Sequence, residues 1–297
     1  RYLIDMYGIN KLKQFISHFK LIDDLDDQAM RVYNVTLDKI EINWKEYLRG
    51  IELPQIGFSI PDQAELIFSM TDPENDDDGD GDYNYPSNEK YVTGCFDLTK
   101  FEVFKDTDHV YFRIALQKVI EPVSNRPGGA KFIPMTVVAI NKGDDNERQL
   151  YKYTNEVELV DGYDLKINVG FGINISNSMG KIFISTNNLY YEMTDPKSNT
   201  LTFSLPIELI GEPEDEWKYF VGVGLTNEPI FNFSGLIPVF KSVPGLISGG
   251  NYDHSNPAFI DILLPGNIDQ SGVLSNYDSE EGKLAIIKMI SKNGEGL

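Results

Sequence analysis

Seven carboxylates fall between Asp72 and Asp82, with no Lys or Arg among them. The stretch reads DPENDDDGDGDYNYP. Like charges this close repel, so the run stays compact only if something neutralises it. It is either solvated and disordered or held by a cation, and the spacing favours the cation. Asp76, Asp78, Asp80 and Gly81 fit D-x-D-x-D-G, the opening of an EF-hand-type calcium loop. Alternate side chains put hard oxygens on one side, and the glycine permits a sharp turn. The match is partial. Ser87 stands at the twelfth position in place of a bidentate Glu, and a β-type run begins at Phe96 where an EF-hand needs a helix. Asp72, Asp76, Asp77, Asp78 and Asp80 are the candidate Ca2+ ligands of the loop, and Asp97 could add one from the strand after it. One calcium ion takes about six to eight oxygens, so a second ion or solvent must account for the rest. Tyr83 and Tyr85 would brace the loop. Asp253 with Asn251 and Asn256 is a weaker second calcium candidate, since turn chemistry alone explains those residues.

A second chemistry is sugar binding. Sugar rings stack on exposed aromatic faces, while carboxylates and amides bond the hydroxyls. Tyr190, Tyr191, Trp217 and Tyr252 are the principal candidates, with Tyr163, Phe231 and Phe233 behind them. Trp217 heads an alternating strand and is equally a core candidate. If Tyr190 and Tyr191 lie in a strand, one faces in and the other out. Catalysis finds little footing: no carboxylate pair stands out by spacing, and neither a Gly-x-Ser-x-Gly elbow nor a phosphate-cradling loop occurs. The single cysteine, Cys95, reads as a small buried apolar residue.

The elements that must position these residues divide in two. Residues 1–50 carry eight basic and eight acidic side chains, so the formal charge of −20 belongs to residues 51–297. That step marks a domain boundary. It also argues against nucleic acid and anionic membrane surfaces as partners, since both need a basic face. No apolar run approaches the length of a membrane span. The first fifty residues read as three helices: one through Ile4, Leu12, Phe15, Ile16 and Phe19, one from Leu25 to Val32, and one capped by Thr36 with Leu37, Ile40, Trp44, Tyr47 and Leu48 as its apolar stripe. The remainder reads as about ten short strands punctuated by turns, the pattern of a sandwich or barrel. Residues 132–140 look like a central strand, residues 165–173 alternate as one strand, and residues 206–210 fit a single helical turn.

The acidic stretch with Phe96-Asp97-Leu98-Thr99-Lys100-Phe101-Glu102-Val103-Phe104 resembles the C-terminal module of glucodextranases and of related amylopullulanase-type secreted proteins. Trp217–Gly224 resembles a second motif of that module. Ser248-Gly249-Gly250, Asn256-Pro257 and Ile260–Pro265 resemble a third, its GGG…NP-x-VIDLLVP signature. The resemblance covers residues 56–290. It implies an antiparallel β-sandwich of the DOMON and family-9 carbohydrate-binding type, an extracellular or cell-surface setting and bound calcium, with Asp97 at the module's FDLTKFEV position. It does not itself imply catalysis. Residues 2–19 and 29–50 are similar to the C-terminal tail of gluzincin-like peptidases of the MA clan. No HExxH occurs, and the only histidines are His18, His109 and His254, so the zinc chemistry of that clan is absent from this chain. The expectation is therefore a mainly β, non-catalytic, calcium-stabilised module that binds polysaccharide or cell-envelope glycan. Alternatives are a surface-layer-like assembly module, or the substrate-docking region of a larger metallopeptidase whose catalytic domain lies upstream.

Overall fold

A computed structural model describes residues 3, 7–18, 25–50, 56–124, 131–143, 157–178, 180, 182–186, 189–227, 236–278 and 280–292. The chain forms two compact units, Arg1–Gln55 and Ile56–Leu297. The first contains helices α1 (Ile9–His18), α2 (Leu25–Tyr33) and α3 (Leu37–Gly50). Thr36 caps α3: its hydroxyl accepts the Lys39 N–H at 3.3 Å and its carbonyl accepts the Ile40 N–H at 2.9 Å. Phe15, Ala29, Val32 and Tyr33 make a small core. Phe19, expected on the first helix, and the side chains of Trp44, Tyr47 and Leu48 lie outside the described residues.

The second unit is mainly β, and its sheets are antiparallel apart from one small pair. Its strands are β1 (Glu65–Thr71), β2 (Leu98–Lys105), β3 (His109–Leu116), β4 (Val123–Ser124), β5 (Lys131–Asn141), β6 (Val157–Leu159), β7 (Leu165–Val169), β8 (Ile173–Asn177), β9 (Ile182–Ser185), β10 (Thr194–Asp195), β11 (Thr200–Pro206), β12 (Lys218–Asn227), β13 (Phe259–Ile262), β14 (Ala285–Ile287) and β15 (Ile290–Ser291). Three short helices intervene: α4 (Tyr190–Met193), α5 (Ile207–Ile210) and α6 (Gln270–Leu274). One sheet has the order β1-β2-β3-β11-β10. The other runs β13-β12-β5-β7-β8-β9, with β4 beside β5 and β15 beside β12. A parallel pair, β14-β6, stands apart.

The two large sheets enclose the main core. Phe68, Phe101, Val103, Phe112, Ile114 and Phe203 of the first sheet meet Val138, Ile140, Ile167, Val169, Tyr219 and Val221 of the second. The second sheet is buried on its other face too. There Met135, Val137, Ala139 and Phe220 pack on Phe259, Leu274, Val157 and Ile287, supplied by β13, α6 and the parallel pair. Burial on both faces explains why residues 132–140 are apolar apart from Thr136, although the sheet around them is antiparallel.

The alternating run 165–173 is not one strand. It folds as the hairpin β7–β8, turned at Gly170–Gly172, where the Gly170 N–H donates to the Gly172 carbonyl at 3.0 Å.

Candidate functional site

The acidic loop leaves the end of β1 and returns at the start of β2. Pairing of those two strands, Thr71 with Lys100, brings Asp72 and Asp97 to one end of the sandwich. A sheet edge from the far end of the sequence completes the arrangement, because β13 delivers Asp261 to the same place. Asp72, Asp76 and Asp261 have carboxylate oxygens all within 4.8 Å of one another. Asp97 adjoins them closely enough for its charge to raise the proton affinity of each.

Three of these carboxylates are anchored alike. One oxygen of each accepts a backbone N–H: Asp72 from Leu264 at 2.6 Å, Asp97 from Asn75 at 2.6 Å and Asp261 from Leu98 at 2.5 Å. The other oxygen is buried without a hydrogen-bond partner. Asp76 likewise has one buried, unpartnered oxygen, and its backbone carbonyl accepts the Gln270 amide at 2.5 Å. Gln270 in turn accepts the Ile262 N–H at 2.8 Å, so α6 is tied to both the loop and β13. Four orphaned carboxylate oxygens in one buried nest are far from the usual satisfaction of buried polar groups.

The electrostatics follow from that geometry. Burial pushes Asp72 up to about 9, against the Leu264 N–H bond and reinforced by the charges of Asp76 and Asp97. Burial and then Asp97 lift Asp76 to about 6. Asp261 is raised well above the ordinary value, by burial and then by the charges of Asp72 and Asp76. Asp97 is raised by burial, with Glu74 adding to it. With no basic group among the described residues acting on them, these carboxylates must take up protons or share a cation.

The remaining loop carboxylates go elsewhere. Asp77 accepts the Tyr85 hydroxyl, and that oxygen also accepts the Gly94 N–H at 3.2 Å, so Tyr85 braces the loop as anticipated. Burial and then the charge of Asp97 raise Asp77 to about 7. Asp78 lies half-buried, raised by burial and then by Asp80, Asp82 and Asp269. Asp80 pairs with His254 and accepts the Asn251 amide at 3.3 Å. Asn251 accepts the Asp253 N–H at 3.1 Å, which is turn chemistry, and Asp253 is exposed. Asn256 is buried with both amide atoms unpartnered.

Sequence reasoning missed Asp261. The signal was present: a lone carboxylate in the middle of an apolar strand cannot stay buried without a partner.

The aromatic candidates do not converge. Trp217 is 3% exposed and packs against Tyr219, with the Lys142 ammonium over its ring at 5.5 Å. Tyr190 is 5% exposed, donates its hydroxyl to the Ile120 carbonyl and stacks on Phe171. Neither offers an open ring face, which corrects the expectation for both. The Tyr190–Tyr191 pair forms a helical turn, not a strand, yet it still splits as one in and one out, with Tyr191 64% exposed. Tyr163 is buried, Tyr252 is exposed, and Phe231 and Phe233 lie outside the described residues. Cys95 is fully buried, and burial raises its thiol far above the ordinary value.

A family model described as the C-terminal binding module, SLH-like, of glucodextranase matches residues 67–290. The chain belongs to that family. The match runs from β1 through β15 and takes in both the acidic loop and Asp261, while residues 1–66 lie outside it. Comparison with the curated proteins gives no match.

Proposed function

We propose that this glucodextranase-type module is non-catalytic, binds carbohydrate at a cell surface or outside the cell, and is fixed in shape by calcium. The observation that supports the cation is the set of four buried oxygens, one each from Asp72, Asp76, Asp97 and Asp261, that face no donor. All are hard oxygen donors, the class that suits calcium; the nest holds no thiolate or imidazole, which zinc favours. Asp72, Asp76, Asp97 and Asp261 would hold the ion, and the ion would supply positive charge and nothing else. The backbone N–H groups of Leu264, Asn75 and Leu98 orient the carboxylates before any ion arrives. The carbohydrate reading rests on the family, a binding module of a glucan-degrading enzyme. Among the described residues no helix is long and apolar enough to cross a membrane.

Affinity electrophoresis in gels cast with α-glucan, β-glucan or envelope polysaccharide, with calcium and with chelator, tests the proposal. Retardation by one polymer class in calcium, lost in chelator, is the expected result. Equal mobility in every gel would instead favour a surface-layer-like assembly role.

A further inference from the structure

Among the described residues, three aromatic side chains are exposed: Tyr191, Phe240 at 62% and Tyr252 at 56%. Tyr191 stands by itself on α4. Phe240 and Tyr252 belong together. The segments that carry them are joined by a parallel bridge between Lys241 and Asn251. The Asn251 N–H donates to the Phe240 carbonyl at 3.2 Å, and the Ser242 N–H donates to the Asn251 carbonyl at 2.8 Å. Side chains alternate across such a pairing, so the residues flanking the bridge share a face. Asn251 is 1% exposed and turns inward toward Asp80, which turns Phe240 and Tyr252 outward.

The ribbon beneath them is rigid. Asn84 and Gly250 exchange both backbone hydrogen bonds, at 2.9 and 3.0 Å, and the Ser87 N–H donates to the Gly245 carbonyl at 2.8 Å. Gly249 lies directly on Tyr83, where an added Cβ would come within 2.1 Å of the hydroxyl. Only glycine permits that approach. The Asp80–His254 pair and the Asp80–Asn251 bond complete the attachment. The acidic loop is thus the floor on which the aromatic ribbon stands.

We propose that Phe240 and Tyr252 form a stacking platform for consecutive rings of a neutral polysaccharide chain. This rests on the carbohydrate-binding reading and names its surface. Lys241, Ser242, Asp253 and His254 are exposed in the same two segments. An apolar ring face bordered by hydrogen-bonding groups matches a sugar, which has a C–H face and a hydroxyl rim. The chain's charge of −20 selects against acidic polymers and against anionic lipid.

The test uses the whole chain, in calcium, in gels containing α-glucan, β-glucan or polygalacturonate. The parent should be retarded by a neutral polymer and not by polygalacturonate. Phe240→Ala and Tyr252→Ala should each weaken retardation about tenfold, and Phe240→Tyr should preserve it. Unchanged melting temperatures show that the variants are folded, since both side chains are exposed. If the double alanine variant is retarded like the parent, the platform is wrong although the module binds sugar. If no polymer retards the parent, the platform and the carbohydrate reading fall together. Sedimentation of the parent, but not the double variant, with phosphatidylcholine vesicles would assign the patch to lipid and overturn the proposal.

Discussion

Glu102 and Asp261 are both strand carboxylates, both nearly fully buried, and their surroundings are opposite. Glu102 on β2 meets two cations of its own chain. Lys100 lies 2.7 Å from one oxygen and Arg113 2.7 Å from the other. Burial would raise its proton affinity, but the hydrogen bonds and charges of Arg113 and Lys100 hold it below the usual carboxylate range. Asp261 on β13 meets three further aspartates and no cation, and burial with their charge drives it up. The chain neutralises one carboxylate internally and leaves the other nest short of positive charge. A fold that can place Arg113 beside Glu102 is able to place a base beside an acid. That contrast is what the proposed cation would resolve.

The largest expected effect lies at the nest. Calcium at about a hundred times its dissociation constant should stabilise the chain by about 2.7 kcal/mol. For a module of this size that corresponds to a rise of roughly 5–10 °C in melting temperature. Asp261→Asn keeps a carbonyl oxygen for the Leu98 N–H and removes one buried charge. In chelator it should melt no lower than the parent, and in calcium it should lose most of the gain. A full calcium shift in the variant would break the comparison.

Glu102→Gln should act the other way. It should cost about 1–2 kcal/mol at neutral pH, with or without calcium. Because the folded group titrates low, its contribution is present above the unfolded value near 4.3 and is lost as pH falls through the lower folded value. The melting difference between parent and variant should hold from pH 7 to about 5 and shrink as pH falls below about 4. A difference that instead grew in acid would mean that Glu102 is not paired as described.

The smallest effect marks the baseline. Lys292 pairs with Asp215 at 2.7 Å, but both are exposed. Lys292→Ala should leave the melting temperature unchanged in calcium and in chelator alike, since exposed pairs contribute little. A clear loss there would show that surface charge, not burial, governs this chain's electrostatics.

Three of the nest's four carboxylates were legible in the sequence. Asp72, Asp76 and Asp97 announced themselves through a charge run bounded by strands, and the sharp turn after Asp80 does use Gly81, at φ +104°. Asp77, Asp78 and Asp80 carry the same signal and go to other partners, because adjacent residues point different ways and spacing cannot tell which. Asp261 lies far along the chain, and its apolar strand marks it as needing a partner without saying that the partner is the acidic loop. The central place of β5 followed from its largely apolar character. A strand over residues 284–290 was legible, but β6 and its parallel pairing with β14 were not, since a strand of three residues shows no period. Trp217 and Tyr190 were ambiguous for a related reason: a large aromatic serves a core or a sugar equally well, and only burial decides.

The nest also has a temporal meaning. Its four oxygens come from positions 72, 76, 97 and 261, and the bonds from Leu98 to Asp261 and from Leu264 to Asp72 tie the start of the module to its far end. No nascent chain that stops short of β13 can assemble it. Any cation the nest were to bind would therefore find its full set of oxygens only once β13 is in place.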